Sequence, residues 1–409
     1  MRRLGLGVVM LMFVLILAGC WNRIELNELG IVVAKGVDYT DGEWTMSYQI
    51  IVPSSMASGT GGTSGGSSQP SVHVISMNTK TIHQALNLSN LEYPRRIYVS
   101  HNKVVVIGKN AAEHGIGELM DYYFRNTESR ETVQLILTEG RAIDILNKLC
   151  PPEKLPGASL SDLLNKESKQ VSAFPVTNVF NFALKMNSDA QGNRLPVIDL
   201  VGDKSGNHEE ELKSQDVLKL TEQPLKTKIT KLAIFQRDRL VGLLDYKESF
   251  GLSWITGDIK NTEISFPCSK ERQTQEHAGY RVNSSKTKVT PRRSGSHYVM
   301  QIKVKLKGNL TESTCQQDLS NPKVIKELEA QIEQQIEDYI NTGWSAMKRL
   351  KTDAVGFADM IHRKFPSDWR RIKENWQDEL AQMDLDVQVQ ATIRRTGLIQ
   401  KSFEQTGEN

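Results

Sequence analysis

The sequence is poor in the residue patterns that mark catalytic and metal-binding sites. No His-Glu-x-x-His occurs among its eight histidines, no Cys-x-x-Cys among its four cysteines, and no Gly-x-x-x-x-Gly-Lys-Ser/Thr in the 409 residues. These absences argue against a zinc peptidase, a structural zinc site and a phosphate-binding loop. A match to Gly-x-Ser-x-Gly at 62–66 lies in a Gly/Ser tract, not at the strand-to-helix turn that a nucleophilic serine requires. We therefore predict a protein without catalytic activity, metal ion or cofactor.

A strong net charge is also missing. The chain has 51 Lys and Arg residues against 48 Asp and Glu residues, which gives a formal charge of +3. Arg2 and Arg3 are the charged residues that precede Cys20, so the chain from Cys20 onward is close to neutral. A near-neutral body has no general electrostatic attraction for nucleic acid, and we expect no nucleic-acid partner.

Long apolar runs are absent except at the N-terminus. Leu4 to Leu17 is apolar apart from two glycines, but it is shorter than the ~20 residues of a spanning helix. It ends in Leu17-Ala18-Gly19-Cys20, which predicts a lipoprotein signal peptide at 1–19, cleavage before Cys20 and lipid on the Cys20 thiol. Two or three acyl chains would hold the protein firmly at a membrane surface, whereas one binds only marginally. An uncleaved N-terminal anchor helix is the alternative, and the short run disfavours it.

Three further cysteines follow, Cys150, Cys268 and Cys315. An odd number leaves at least one thiol free or paired with another chain. Cys268 and Cys315 lie among predicted strands and could form a disulfide, but three buried free thiols would agree with the sequence equally well.

Prolines and glycines divide the chain after the signal peptide into three predicted segments. An N-terminal α+β domain covers 20–148, a middle α/β domain 149–257 and a C-terminal α+β domain 258–400. Pro151-Pro152 marks the first boundary, and Gly257 ends a predicted helix at the second.

Local patterns predict several elements of the first segment. Asp41-Gly42 between two β-like runs indicates a hairpin. The continuous apolar run Val104–Ile107 is typical of a central strand. Residues 57–70 are almost entirely Gly, Ser and Thr, which cannot form a core, so we predict a flexible loop there.

The C-terminal segment has the clearest periodicity. Apolar and polar residues alternate over Tyr298–Leu306, which predicts a half-exposed strand. Asn321-Pro322 begins a helix predicted at about 322–350. Its apolar stripe should lie on the sheet, and its polar face should be exposed, with Lys326, Glu333, Glu337 and Lys348. The predicted fold is therefore multi-domain α+β, with mixed or antiparallel β-sheets that are each flanked by α-helices.

Several motifs resemble the Ger(x)C family, the C subunits of spore nutrient germinant receptors. The most specific are Cys20–Leu29 at the start and Ile393–Ile399 at the end, although Asn22 stands where that family usually has Asp. Further matches are Pro94–Tyr98 with His101, Val104–Gly108, Leu195–Ile198, Ala233–Phe235 with Leu240–Gly242, Ser285–Lys288 and Phe357–Trp369.

The resemblance implies a non-catalytic lipoprotein subunit of a three-part receptor, needed for the response to nutrients and for receptor assembly. Its partners would be a membrane-embedded A subunit and a permease-like B subunit, and its location would be the outer face of the inner spore membrane. The family fold implies three domains, each a β-sheet with flanking helices. The resemblance carries over one site residue, the lipidated Cys20.

Two other functions compete with this one. A solute-binding lipoprotein of a membrane transporter would need two parallel-sheet lobes around a cleft, whereas the sequence predicts hairpins and an α+β ending. A surface-anchored hydrolase would need a nucleophile and base, and the sequence offers no such constellation.

Overall fold

The computed structural model describes residues 25, 28–52, 70–151, 153–203, 208–223, 225–269, 276–295, 297–315 and 318–397. The predicted signal peptide, Cys20 and residues 57–69 of the Gly/Ser tract lie outside these ranges. In the described part of the chain, the strands form one ten-stranded sheet and one five-stranded sheet. The strands of the first sheet are β1 Leu29–Thr40, β2 Glu43–Ile51, β3 Val72–Thr79, β4 Arg96–Tyr98, β5 Val104–Gly108, β6 Gln134–Thr138, β7 Thr177–Asn178, β8 Gly192–Gly202, β9 Leu225–Gln236 and β10 Arg239–Leu244.

The first sheet has a parallel centre and antiparallel edges. Its order is β10-β9-β8-β6-β5-β1-β2-β3, with β4 beside β1 and β7 beside β6. Strands β1, β5, β6 and β8 run parallel, and two antiparallel strands extend the sheet at each edge. Val104–Ile107 is buried throughout, as predicted for a central strand. The predicted hairpin is confirmed, because Asp41 and Gly42 join β1 to β2 with φ of 54° and 83°.

Helices cover both faces of this sheet. Val104 and Val106 belong to one core, and their neighbours Val105 and Ile107 to the other, as the alternation of a strand requires. The helices of this part are α1 Ile82–Glu92, α2 Lys109–His114, α3 Gly117–Arg125, α4 Ala142–Leu146, α5 Pro156–Gln170, α6 Val179–Met186, α7 His208–Glu211, the 3₁₀ helix Gln215–Lys219 and α8 Tyr246–Thr256.

The second sheet is also mixed. Strands β12 and β13 form a long antiparallel hairpin, β11 pairs with β12, and both β14 and β15 run parallel to β13. The strands are β11 Thr262–Pro267, β12 His277–Ser294, β13 His297–Ser313, β14 Asp384–Gln390 and β15 Ile393–Arg395. The connection from β13 to β14 contains α9 Pro322–Leu350, α10 Phe357–Lys364, α11 Pro366–Ile372, the 3₁₀ helix Lys373–Asn375 and α12 Trp376–Gln382. Two mixed sheets with flanking helices confirm the predicted fold class.

Helix α9 is the long helix that the periodicity predicted. The Asn321 side chain accepts a hydrogen bond from the Lys323 backbone N–H, Pro322 occupies the first turn, and Lys351 ends the helix in the left-handed conformation. The apolar stripe is buried at the residues Leu328, Ile332, Ile336, Ile340, Trp344 and Met347.

The prediction of an exposed polar face on α9 is only partly right. Lys326 is exposed, but Glu333, Glu337 and Lys348 are half-buried. The Glu333 carboxylate accepts a hydrogen bond of 2.9 Å from the Ala391 backbone N–H, where β14 ends. This acidic side chain turns toward the sheet because the break between β14 and β15 leaves a backbone donor that needs an acceptor.

Helices α8 and α9 cross at two glycines. A Cβ on Gly251 would lie 1.9 Å from the carbonyl oxygen of Tyr339, and one on Gly343 would lie 2.8 Å from that of Glu248. Because neither position has room for a side chain, the two helices meet backbone against backbone. This crossing joins the two sheets, since α8 follows β10 of the first sheet and α9 follows β13 of the second.

The three predicted segments share structure across their boundaries. Strands from 20–148 and from 149–257 lie in the same ten-stranded sheet. One core also extends from a face of that sheet into the second sheet, with Ile136 and Ile302 among its members. The division into three domains at residues 148 and 257 stays a prediction.

Candidate functional site

The predicted site residue, Cys20, lies outside the described residues, and its lipidation stays a prediction. The structure begins to describe the chain at Glu25, and β1 starts at Leu29. Within the described ranges, none of the helices combines the length and the apolarity needed to cross a membrane.

The open question about the remaining cysteines has an answer in the structure. Cys268 and Cys315 form a disulfide with a Cα–Cα distance of 5.6 Å. Cys150 is free and buried, and its Sγ accepts a contact of 3.4 Å from the Thr227 hydroxyl. Burial raises the pKa of the Cys150 thiol from 9.0 to about 11, so it is a thiol and not a reactive thiolate at neutral pH.

Side chains with metal-binding chemistry are dispersed. Among the residues that the structure describes, no three His, Cys, Asp or Glu side chains are grouped so that they could hold a metal ion. His362 pairs with Asp189 at 2.7 Å, His208 pairs with Glu211 at 2.9 Å, and His114 stacks on Tyr39. The histidines therefore serve separate local contacts.

A small polar cavity lies where the two sheets meet, and we call it the junction cavity. Its volume is about 250 Å³. It is lined from the first half of the chain by α6, β8 and their connection, and from the second half by the end of α8 and the start of α10. The lining residues are Lys185, Ser188, Ala190, Gly192, Arg194, Thr256, Asp258, Ala354, Val355, Gly356 and Asp359.

Arg194 is the most buried charge of the junction cavity, with a side chain 5% exposed. One guanidinium nitrogen donates to the Thr256 hydroxyl at 3.2 Å, and a second pairs with the Asp258 carboxylate at 3.2 Å. The third, Nε, is buried and has no hydrogen-bond partner. A buried donor of this kind costs free energy until something accepts its hydrogen bond.

Lys185 is the second cation of the cavity. The positive charge of Arg194, followed by burial, lowers the pKa of Lys185 from 10.5 to about 8, against the opposing effect of Asp258 and Asp359. Burial alone would raise the pKa of Asp258, but Arg194, Thr256 and Lys185 together hold it below its ordinary value. No hydrogen bond or ion pair to the Lys185 ammonium comes from the part of the chain that is described.

The cavity wall at the start of α10 is held in place by the buried carboxylate of Asp353. Asp353 accepts hydrogen bonds of 2.8, 3.0 and 2.7 Å from the backbone N–H groups of Gly356, Phe357 and Ala358, which fixes the start of α10. Gly192 lies against this turn, since a Cβ there would be 2.1 Å from the carbonyl oxygen of Asp353. The Asp359 side chain is also held in place, because its Oδ1 accepts a hydrogen bond of 2.9 Å from the backbone N–H of Asp189.

A second unusual polar group is Lys35, in the middle of β1. It is fully buried, and its ammonium lies 3.4 Å from the Tyr122 hydroxyl and 3.3 Å from the Ser129 hydroxyl. The ammonium also lies 5.0 and 4.8 Å from the ring centres of Tyr122 and Tyr123, within the range of a cation–π interaction. Burial lowers the pKa of Lys35 from 10.5 to about 7, and no carboxylate within the described ranges offsets the effect.

Neither the junction cavity nor the buried Lys35 was predicted from the sequence. Lys35 had a visible signal, because it interrupts the apolar run Ile31–Val37 of a predicted strand. The junction cavity had none, since Lys185, Arg194, Asp258 and Asp359 come from four elements that only the tertiary fold brings together.

Comparison with known families covers nearly the whole chain. Residues 22–200 match the family described as "Spore germination protein N-terminal domain". Residues 230–397 match the family described as "Spore germination B3/GerAC like, C-terminal". The first match ends within β8 and the second begins within β9, so the junction cavity is lined by residues of both.

Individual relatives agree with the family matches. The chain is 30% identical to spore germination protein KC of Bacillus subtilis, over 97% of each chain, and 24% identical to spore germination protein B3 of the same organism, over 96% of this chain and 98% of that protein. The crystal structure of the GerBC protein shares its fold, with a TM-score of 0.54 and 18% identity over 88% of this chain and 96% of that one. From its full-length similarity to these proteins, the chain belongs to the Ger(x)C family of spore germination proteins.

Proposed function

We propose that this chain is the lipoprotein subunit of a spore nutrient germinant receptor, anchored by lipid on Cys20 to the outer face of the inner spore membrane. Its role is to support receptor assembly and the response to the germinant, without catalysis. The observation that carries the proposal is the match to spore germination protein KC over 97% of both chains, together with the Leu17–Cys20 motif. The proposed partners are the integral-membrane A and B subunits of the same receptor.

The described body is consistent with a scaffold. Several of its buried carboxylates are engaged in structural contacts, as Asp353 is at the start of α10 and Glu167 is with the backbone N–H groups of Ala173 and Phe174. The acidic group of Asp38 likewise accepts from the backbone N–H groups of Ala142 and Ile143 at the start of α4. Such carboxylates hold loops and helix ends in place, which suits a subunit that presents fixed surfaces to partners.

The anchor is tested by Cys20→Ala in spores. The variant should move from the membrane fraction to the soluble fraction, and the germination response should fall, because lipid on this residue supplies the attachment. Cys150→Ala is the matched control, since it removes a buried cysteine without touching the anchor and should leave the protein in the membrane fraction. Full membrane retention of a Cys20→Ala protein that is cleaved and unlipidated would contradict lipid anchoring.

The partners are tested by purifying the native protein from spore membranes and identifying the integral-membrane proteins that accompany it. We expect the A and B receptor subunits among them. Recovery of a transporter permease in their place would support the solute-binding function instead.

A further inference from the structure

The junction cavity is lined by a buried hydrogen-bond donor that has no acceptor among the described residues. Two basic side chains line it, and the Nε atom of Arg194 is buried without a partner. The positive charge of Arg194 acts on the Lys185 ammonium, and the described residues supply this ammonium with no ion pair. A buried donor without an acceptor is an exception in folded proteins, and a bound group that accepts its hydrogen bond would account for it.

The size of the cavity limits the ligand. A cavity of roughly 150 Å³ accommodates benzene, so the 250 Å³ of the junction cavity accommodates a molecule of about six to ten non-hydrogen atoms. The cavity reaches the surface, because the side chain of Asp258 is 38% exposed, so a small solute can enter.

The charges limit its chemistry. With Lys185 protonated, the two cations are balanced by Asp258 and Asp359, so the empty cavity is neutral overall. A dianion would place two further negative charges beside these carboxylates, and like charges at such distances repel. A single carboxylate matches the unmet donors better, since its two oxygens can accept from Arg194 Nε and from the Lys185 ammonium at once.

We propose that the junction cavity is a binding site for the carboxylate group of a small organic monocarboxylate, with Arg194 and Lys185 as its recognition residues. The site is built from both sheets, because Lys185 and Arg194 belong to α6 and β8 while Asp359 belongs to α10. Binding therefore bridges the two halves of the molecule at the place where they meet. The proposal does not depend on the receptor function, because it concerns a solute and a cavity within one chain.

The test uses the full mature chain, purified in detergent, and isothermal titration calorimetry with three probes of matched size: butyrate, 2-aminobutyrate and butylamine. Both carboxylates should bind saturably and butylamine should not. A bound carboxylate raises the pKa of Lys185, so binding at a pH near 8, where the lysine is half protonated, should take up about half a proton per ligand. Titration in two buffers of different ionisation enthalpy measures this uptake.

Two variants assign the binding to the cavity. Lys185→Met should weaken butyrate binding by about tenfold or more and abolish the proton uptake, because a charge-assisted hydrogen bond is lost. Arg194→Lys keeps the charge opposite Asp258 but lacks Nε, and should also weaken binding; near-UV circular dichroism checks that it is folded. Lys166→Met, on the exposed side of α5, is the matched control and should bind butyrate like the parent protein.

The proposal is overturned if none of the carboxylates binds saturably, or if Lys185→Met binds butyrate with unchanged affinity and proton uptake. Binding of butylamine alone would also overturn it, since it would assign the cavity to a cation held by Asp359.

Discussion

Replacing Lys35 with methionine should make the protein more stable, against the usual direction of a substitution in a core. The lysine is fully buried, and burial lowers its pKa from 10.5 to about 7. One unit of pKa corresponds to 1.36 kcal/mol, so keeping the ammonium charged in the folded state costs about 4–5 kcal/mol below neutral pH. Methionine has a similar length and carries no charge to desolvate.

The gain is reduced by the contacts that are lost. Lys35 donates to the hydroxyls of Tyr122 and Ser129, and each such hydrogen bond contributes about 1 kcal/mol. Tyr122 keeps a donor, because the Asn126 amide also bonds its hydroxyl at 3.0 Å. Lys35→Met should therefore raise the free energy of unfolding by about 2–3 kcal/mol near pH 6.

The pH dependence separates this explanation from better packing. Below about pH 7 the lysine is charged in both states, so the folded protein bears the full cost. As the pH rises from 7 toward 10.5, the folded state releases the proton while the unfolded state keeps it, and the cost declines. The advantage of Lys35→Met over the parent should therefore shrink by about 3 kcal/mol between pH 6 and pH 9.5.

Urea unfolding at these two pH values measures the effect, with Lys166→Met as the exposed control that should change stability by less than about 0.5 kcal/mol. A methionine variant that is less stable than the parent at pH 6, or one whose advantage is the same at both pH values, would refute the reasoning. The charge of Lys35 would then be compensated in the folded protein.

Three further predictions concern the C-terminal half. Ile332→Ala should lower the free energy of unfolding by about 2–5 kcal/mol in urea titrations, because Ile332 is fully buried. Glu333→Ala should lower the free energy of unfolding by about 1–3 kcal/mol, because it leaves the Ala391 N–H without its acceptor. Glu333→Gln should recover much of this loss, because its side-chain oxygen can still accept the hydrogen bond. A Glu333→Ala variant with the same urea midpoint as the parent protein would contradict the contact. Reduction of the Cys268–Cys315 disulfide should lower the free energy of unfolding by about 4 kcal/mol, the chain-entropy value for a separation of 47 residues. An unchanged melting temperature after reduction would argue against that value.

Elements with a strong local pattern were predictable from the sequence. The helix Pro322–Leu350 has an N-cap, a proline in its first turn and an apolar residue at every fourth position, so each local signal agrees with the fold. The hairpin at Asp41-Gly42 was predictable for the same reason, because few residues other than Asp, Asn and Gly adopt its positive φ angles.

The pairing of distant elements was not predictable. Nothing local in β6 or β8 indicates that Leu137 faces Val197 and joins the first two predicted segments in one sheet. Glu333 fits a solvent-exposed helix position by its spacing, and only the break after β14 explains why it is half-buried. The same limit applies to the junction cavity, where the pKa of Lys185 depends on an arginine that lies on another element.

The glycine crossing of α8 and α9 has a mechanical consequence. Helices that meet through side chains can slide past each other by small amounts, because the side chains can change rotamer. At Gly251 and Gly343 there is no side chain to rotate, and a shift along either axis would bring a residue that carries a Cβ to a place where only glycine fits against the opposing backbone. The crossing of α8 and α9 therefore resists sliding of one helix along the other. A twist applied to the ten-stranded sheet would therefore be transmitted to the five-stranded sheet, so that the two sheets move together and do not bend about a hinge at this crossing.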